Sequence, residues 1–193
     1  MSDLIRRVAF IGKGAENLAN ALQLADSPLE EADVALFIVS ASDGIVRADS
    51  DLWATARELY IPSIVVITEL DPLVELDFED MSAIAGRILD PVTTPYLVLH
   101  DESSAPVALI ELATMTIRDY STGQLTTRSA DPEHLELVKE FAEENAQQIE
   151  DTGEGGFENG LLYPALPWVP VNRMGEDEIK SYIELVDVVP SAS

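Results

Sequence analysis

DVALFIVSASDGIVRADSDLWATARELYIPSIVVITELD, residues 33–71, decides the fold of this chain. Its first third, VALFIVS, is an unbroken apolar run closed by Ala41-Ser42-Asp43-Gly44. Such a run suits a strand covered on both faces, with a turn behind it. Residues 49–60 follow with Leu52, Ala56 and Leu59 at helical spacing. Ile61-Pro62-Ser63 then leads into Ile64-Val65-Val66-Ile67, where β-branched side chains favour extended backbone. Strand, helix, strand with both strands continuously apolar predicts a parallel sheet with helices on its faces.

Working outward, the same alternation holds upstream. Val8-Ala9-Phe10-Ile11-Gly12 is a short apolar run ending in glycine, and residues 15–25 place Leu18, Ala21, Leu22 and Ala25 on one helical face. Downstream the pattern changes. After a proline-punctuated connector at residues 91–95, residues 96–99 and 106–120 read as strands. Within them Met115 and Ile117 alternate with Thr114, Thr116 and Arg118, as on a half-exposed sheet. Ser121-Thr122-Gly123 is a turn before a return strand at residues 125–128. Asp131-Pro132 opens a helix expected to reach about residue 150, the carboxylate capping it and proline taking the first helical position. Residues 152–160 form a loop, Trp168 to Val171 are expected to return to the main sheet, and a helix follows from residue 176 to 186.

Composition limits the function classes. The chain has 193 residues and a formal net charge of −25, with 36 acidic side chains against 11 basic ones, only three of them lysine. Affinity for nucleic acid comes from cations that displace counterions, so direct nucleic-acid binding is not expected. The acidity reads either as a solvated, solubilising surface or as a face for a basic partner. With no cysteine, disulfides, thiolate nucleophiles and Cys-type zinc sites are excluded, and His100 and His134 are too few for a metal cluster. No apolar run is long enough for a spanning helix or a signal peptide, so a cytoplasmic protein with no membrane partner is expected.

The order of these pieces resembles the nucleotide-binding domain of elongation factor G. The resemblance rests on residues 33–71, on Asp77-Phe78, on VALIELATMTIRDYSTG at residues 107–123, which is similar to a strand pair of that family's insert subdomain, and on residues 169–190 as its last strand and helix. It implies an α/β fold: a reduced P-loop-NTPase-like, mostly parallel sheet flanked by helices. Residues 1–90 and 161–193 would form that sheet domain. Residues 91–160 would form an α+β insert with strands and a long acidic helix.

The family's chemistry is degraded at each matching position. A phosphate-binding loop needs glycine amides around the phosphates, a lysine against their charge and a hydroxyl on Mg²⁺, in the spacing G-x-x-x-x-G-K-[ST]. Counting from Gly12, those last three places hold Asn17, Leu18 and Ala19, while Lys13 and Gly14 stand out of register. A dinucleotide fingerprint from Gly12 and Gly14 fails for the same reason, its third glycine being Asn17. Asp26-Ser27-Pro28 is similar to the second phosphate motif, but Leu29 replaces its glycine and Glu30 stands at the catalytic histidine's place. Thr68-Glu69-Leu70-Asp71 matches the guanine-reading Asn-Lys-x-Asp with only the aspartate kept. Acidic residues Glu30, Glu31, Asp33, Asp43, Asp49, Asp51 and Asp71 would further repel a triphosphate.

No catalytic residue, metal or cofactor is therefore expected. Gly12, Asn17, Asp26 and Asp71 are vestigial positions. Carboxylate pairs are too common among 36 acids to signal chemistry, and His100, Ser103 and Ser104 lack a nucleophile-elbow context. The expected function is a non-catalytic pseudo-GTPase, an interaction or regulatory protein rather than an enzyme. The alternatives are a binder of another small ligand at the strand ends near Gly12, Ala41 and Thr68, or an aberrant GTP-binding protein. For an interaction role, Glu136, Glu140, Glu143 and Glu144 on the acidic helix are the candidate contacts for a basic protein partner. The resemblance implies the same, since elongation factor G presents acidic residues of its insert helix to the basic ribosomal stalk protein.

Overall fold

The computed structural model of the chain describes residues 6–187. Strands β1 (Val8–Gly12), β2 (Val34–Ser40), β3 (Ser63–Thr68) and β8 (Ala165–Pro167) form one sheet in the order β1-β2-β3-β8, all parallel. Every residue of β2 and β3 is buried, which is why these segments read as unbroken apolar runs. A second, antiparallel sheet has the order β4-β5-β6-β7, from β4 (Tyr96–His100), β5 (Pro106–Glu111), β6 (Thr116–Asp119) and β7 (Thr126–Ser129). The fold class is thus α/β, with a parallel sheet and a separate antiparallel one. Among the described residues no helix is long and apolar enough to cross a membrane.

Both edges of the parallel sheet are covered by a single bridging residue. Asp26 makes a parallel bridge to Val8 on the side of β1 away from β2, and Thr93 does the same to Pro164 beside β8. After β1 the chain therefore crosses away from β2 through α1 (Ala15–Leu22), then turns back through a 3₁₀ turn at Leu29–Glu31 into β2. The later crossovers, through α2 (Arg47–Glu58), run the other way. Right-handed crossovers in opposite directions put their helices on opposite faces. Accordingly α1 packs with α5 (Glu176–Leu185), while α2 and α3 (Phe78–Ile88) lie on β2 and β3.

The antiparallel sheet serves two cores because its side chains alternate. Leu97, Ala108, Ile110 and Ile117 form a small core with Val138 of α4 (Pro132–Thr152). Tyr96, Val98, Leu109 and Tyr120 join the main core instead. The two sheets are pinned at Glu178 of α5, 1% exposed, which accepts hydrogen bonds from the Tyr120 hydroxyl at 2.7 and 2.9 Å and pairs with Arg118. α4 begins as expected, with the Asp131 carboxylate accepting from the His134 amide at 3.1 Å.

Four expectations are corrected. The buried face of α2 is Trp53 and Ala56; Leu52 and Leu59 are 38% and 51% exposed, and Leu59 caps the helix rather than covering the sheet. The indole of Trp53 sets this rotation, standing edge-on to Phe37 and Tyr163 and donating to Asp90 at 2.8 Å. α3 was not anticipated. Residues 106–120 break into β5 and β6 at a tight turn, where Met115 has φ 54°. The last parallel strand is Ala165–Pro167; Trp168 and Val169 lie just past it, Val169 bridging back to Met174.

Candidate functional site

The C-terminal ends of β1, β2, β3 and β8 come together, and they meet where the crossovers change direction. In open parallel sheets that is where ligands sit. Only Lys13 and Gly14 link β1 to α1. Gly12, at φ 109°, is required by the sheet itself: a Cβ there would stand 2.3 Å from the Ile38 carbonyl oxygen of β2. Gly14 takes the left-handed cap of α1 at φ 90°, with open space around it.

Three strand-end loops are tied by charge. Lys13 pairs with Asp43 and lies 3.5 Å from Glu69. Glu69 in turn accepts from the Ser40 hydroxyl, whose oxygen accepts the Ser42 and Asp43 amides at 3.2 and 3.0 Å. Glu69 reaches this position from a left-handed backbone, φ 58°. The hydrogen bond from Lys13 to Asp43 raises the ammonium's pKa, with the charges of Asp43 and Glu69 adding to it. The Ser40 hydroxyl, and then Lys13, hold the Glu69 carboxyl below its usual range. Thus Glu69 closes an ion pair internal to the strand-end loops.

Beside this network an open cleft of about 490 Å³ runs between α1 and the ends of β3 and β8. Asn17 and Asn20 of α1 line one wall, Thr68 and Glu69 the floor, and Trp168 and Glu176 the other side. Glu176 is 4% exposed and is held by Arg173 at 2.9 Å. Trp168 is also 4% exposed, and among the described residues its indole N–H has no hydrogen-bond partner. No histidine or serine lines this cleft, so its side chains offer hydrogen bonds rather than a nucleophile and base.

The four positions expected to be vestigial, Gly12, Asn17, Asp26 and Asp71, are not gathered in one place. Gly12 and Asn17 belong to the strand-end region. Asp26 lies on the outer edge of β1, accepting the Phe10 amide at 3.0 Å, with the Ser27 amide bonded to Val8. It serves as an edge cap. Asp71 lines a different cleft of about 310 Å³, with His100 and Ser104. No hydrogen bond joins His100, Ser104 and Asp71, while Ser103 bonds to Asp101 at 2.6 Å. On α4, Glu136, Glu140, Glu143 and Glu144 are all exposed, and Glu144 also lines a groove toward α3 with Phe141 and Arg87. Sequence reasoning missed the Lys13–Glu69–Ser40 tie and the unpartnered Trp168. The signal for the first was an acidic residue directly after an apolar strand, with Lys13 directly after another. For the second it was a lone tryptophan just after an apolar run.

No family model matches the chain. Over 112 residues, 58% of its length, it is 30% identical to the elongation factor G-like protein of Mycobacterium tuberculosis strain CDC 1551 / Oshkosh, and equally to that of strain ATCC 25618 / H37Rv. The chain spans 15% of the length of these curated relatives. A crystal structure of a protein from Thermus thermophilus superposes with a TM-score of 0.71 at 25% identity, covering 83% of this chain and 27% of that one. The resemblance to elongation factor G is thereby borne out: the chain is similar to elongation factor G-like proteins.

Proposed function

We propose that this chain is a non-catalytic relative of the elongation factor G nucleotide domain, a pseudo-GTPase of the cytoplasm that works by binding other molecules. Its parallel sheet is read as a reduced P-loop-NTPase sheet, with residues 91–160 as the insert subdomain. One observation carries this reading: β1 is joined to α1 by Lys13 and Gly14 alone. Two residues leave no loop to wrap a phosphate, and Lys13 is already paired with Asp43. Phosphoryl transfer depends on cations around the transferring group, and Glu69 brings the opposite charge. Calorimetric titration with GTP and Mg²⁺ into the millimolar range is the direct test, and no heat of binding is expected. A saturable isotherm would overturn the reading.

The interaction role is assigned to α4. Glu136, Glu140 and Glu143 form an exposed acidic ridge with Lys139 as the nearby cation, complementary to a basic protein. Glu144, also exposed, continues the acidic surface to the rim of the α3 groove. Replacing the three ridge glutamates with lysine is expected to abolish low-salt capture of basic proteins while leaving the circular-dichroism spectrum unchanged. Unchanged capture would reduce the ridge to a solubilising surface. A second reading, a small ligand at the strand ends, is favoured by the open cleft beside Trp168.

A further inference from the structure

At the N-terminal ends of β1, β2 and β3, the opposite end of the sheet from the strand-end loops, lies another open cleft of about 590 Å³. Leu59 and Tyr60 line it and are 51% and 65% exposed. Packing does not explain the residue at position 60. α2 ends in a Schellman arrangement, the Ile61 amide donating to the Ala56 carbonyl at 2.9 Å and the Tyr60 amide to that of Arg57 at 3.1 Å. Residue 60 is thereby held in the left-handed region, φ 54°, where glycine is the usual occupant because a Cβ crowds the backbone. A tyrosine kept there with most of its surface in solvent is strain without matching burial, an outlier of the kind found at binding surfaces. The charges around it are one-sided. Glu30, Glu31, Glu158 and Asp187 line the same cleft, and among the described residues none of them forms an ion pair. Arg7, also in the lining, is bonded to Asp33 at 2.8 Å, and the neighbouring Arg6 donates to the carbonyls of Val186 and Glu184.

We propose that this cleft docks an extended segment of another protein in which apolar side chains are interspersed with basic ones. The apolar groups cover Leu59 and Tyr60, and the cations lie among Glu30, Glu31, Glu158 and Asp187. Charge complementarity selects this partner, since a neutral or acidic segment would face four carboxylates with no cation to offer them. The exposed apolar pair sets it apart from a polycation held by charge alone. The site is separate from the α4 ridge and from the strand ends, so it depends on neither.

The test titrates the full chain, labelled with ¹⁵N, with the capped peptide acetyl-Arg-Leu-Arg-Leu-Arg-amide at about 0.15 M salt, where charges more than about 8 Å apart are screened. Saturable shifts are expected at the amides of Glu30, Glu31, Leu59, Tyr60 and Glu158. The peptide with glycine in place of leucine is expected to bind at least fivefold more weakly, and the one with glutamate in place of arginine not at all. Y60G places glycine where the backbone favours it, so its thermal midpoint is expected to equal or exceed the parent's while peptide affinity falls at least fivefold. The triple lysine variant of α4 is expected to bind the peptide within about twofold of the parent, which separates this site from the ridge. Shifts confined to α4, equal affinity for the glycine peptide, or full affinity in Y60G would each overturn the proposal. So would a lower midpoint in Y60G, which would make Tyr60 a packing residue. Shifts at these amides on diluting the chain alone would assign the cleft to a second copy and overturn it too.

Discussion

Gly12 and Glu69 each have a role set by their neighbours at the strand ends. Gly12 ends β1, and its constraint is the Ile38 carbonyl that a Cβ would meet at 2.3 Å. Replacing it with alanine adds a left-handed φ penalty to that clash, so G12A is expected to destabilise the fold by about 3 kcal/mol in chemical denaturation. A loss near zero would mean that β1 and β2 can separate freely at this end. Glu69 has two partners, the Ser40 hydroxyl and Lys13. Its carboxyl is held below the usual glutamate range by the Ser40 hydroxyl first and Lys13 second. A depressed native pKa gives stability that is fully present above the unfolded value, about 4.3, and is lost as pH falls through the native value. Titration followed by carboxyl-carbon NMR should place Glu69 below ordinary glutamates, and S40A should move it upward. An S40A midpoint identical to the parent's would remove the hydroxyl from the explanation.

At the scale of elements, α2 is attached to the sheet mainly through Trp53. The indole is 2% exposed, packs edge-on against Phe37 at 4.9 Å and Tyr163 at 5.0 Å, and donates to Asp90. W53A is expected to cost about 4 kcal/mol. W53F keeps most of the packing and should lose about 1–2 kcal/mol for the abandoned hydrogen bond. Equal losses in the two denaturation curves would put the weight on the bond to Asp90 rather than on packing. The same residue explains part of what the sequence concealed. Leu52, Ala56 and Leu59 recur at helical spacing, yet of the three only Ala56 is buried, because the indole and its partner at residue 90, far along the chain, turn Leu52 and Leu59 outward. β1, β2 and β3 were legible because both faces of each are covered, leaving continuous apolar runs. β8 was not, since three residues including a proline carry no period; Pro167 is tolerated on an edge strand, where a missing N–H breaks no ladder. α3 was obscured by Gly86 and by acidic residues in its first turn. Of the candidate site, single residues could be picked out from the sequence, but not that Lys13, Ser40 and Glu69 meet, because that contact depends on parallel register across three strands.

For the whole molecule the governing quantity is charge. Thirty-six acidic and eleven basic side chains leave −25, and among the described residues Arg7, Lys13, Arg57, Arg118 and Arg173 are already committed to carboxylates within the chain. The remaining carboxylates repel one another in the compact state more than in the extended chain. Salt screens that repulsion over about 10 Å at 0.1 M, so added NaCl should raise the thermal midpoint steeply from about 0.01 to 0.15 M and then level off. The same screening acts in the opposite sense on the α4 ridge. A basic protein drawn to Glu136, Glu140 and Glu143 is steered by complementary charge, so its capture should weaken over the interval in which the fold becomes more stable. This opposition separates the two roles of the acidity. If capture falls while the midpoint rises, the partner is bound by the native surface. If capture falls only where the midpoint also falls, the partner was holding unfolded chain. In the triple lysine variant the net charge becomes −19, because each exchange adds two units to −25. That variant should gain thermal stability at low salt and lose the partner together, an outcome that a ridge required for folding would not produce.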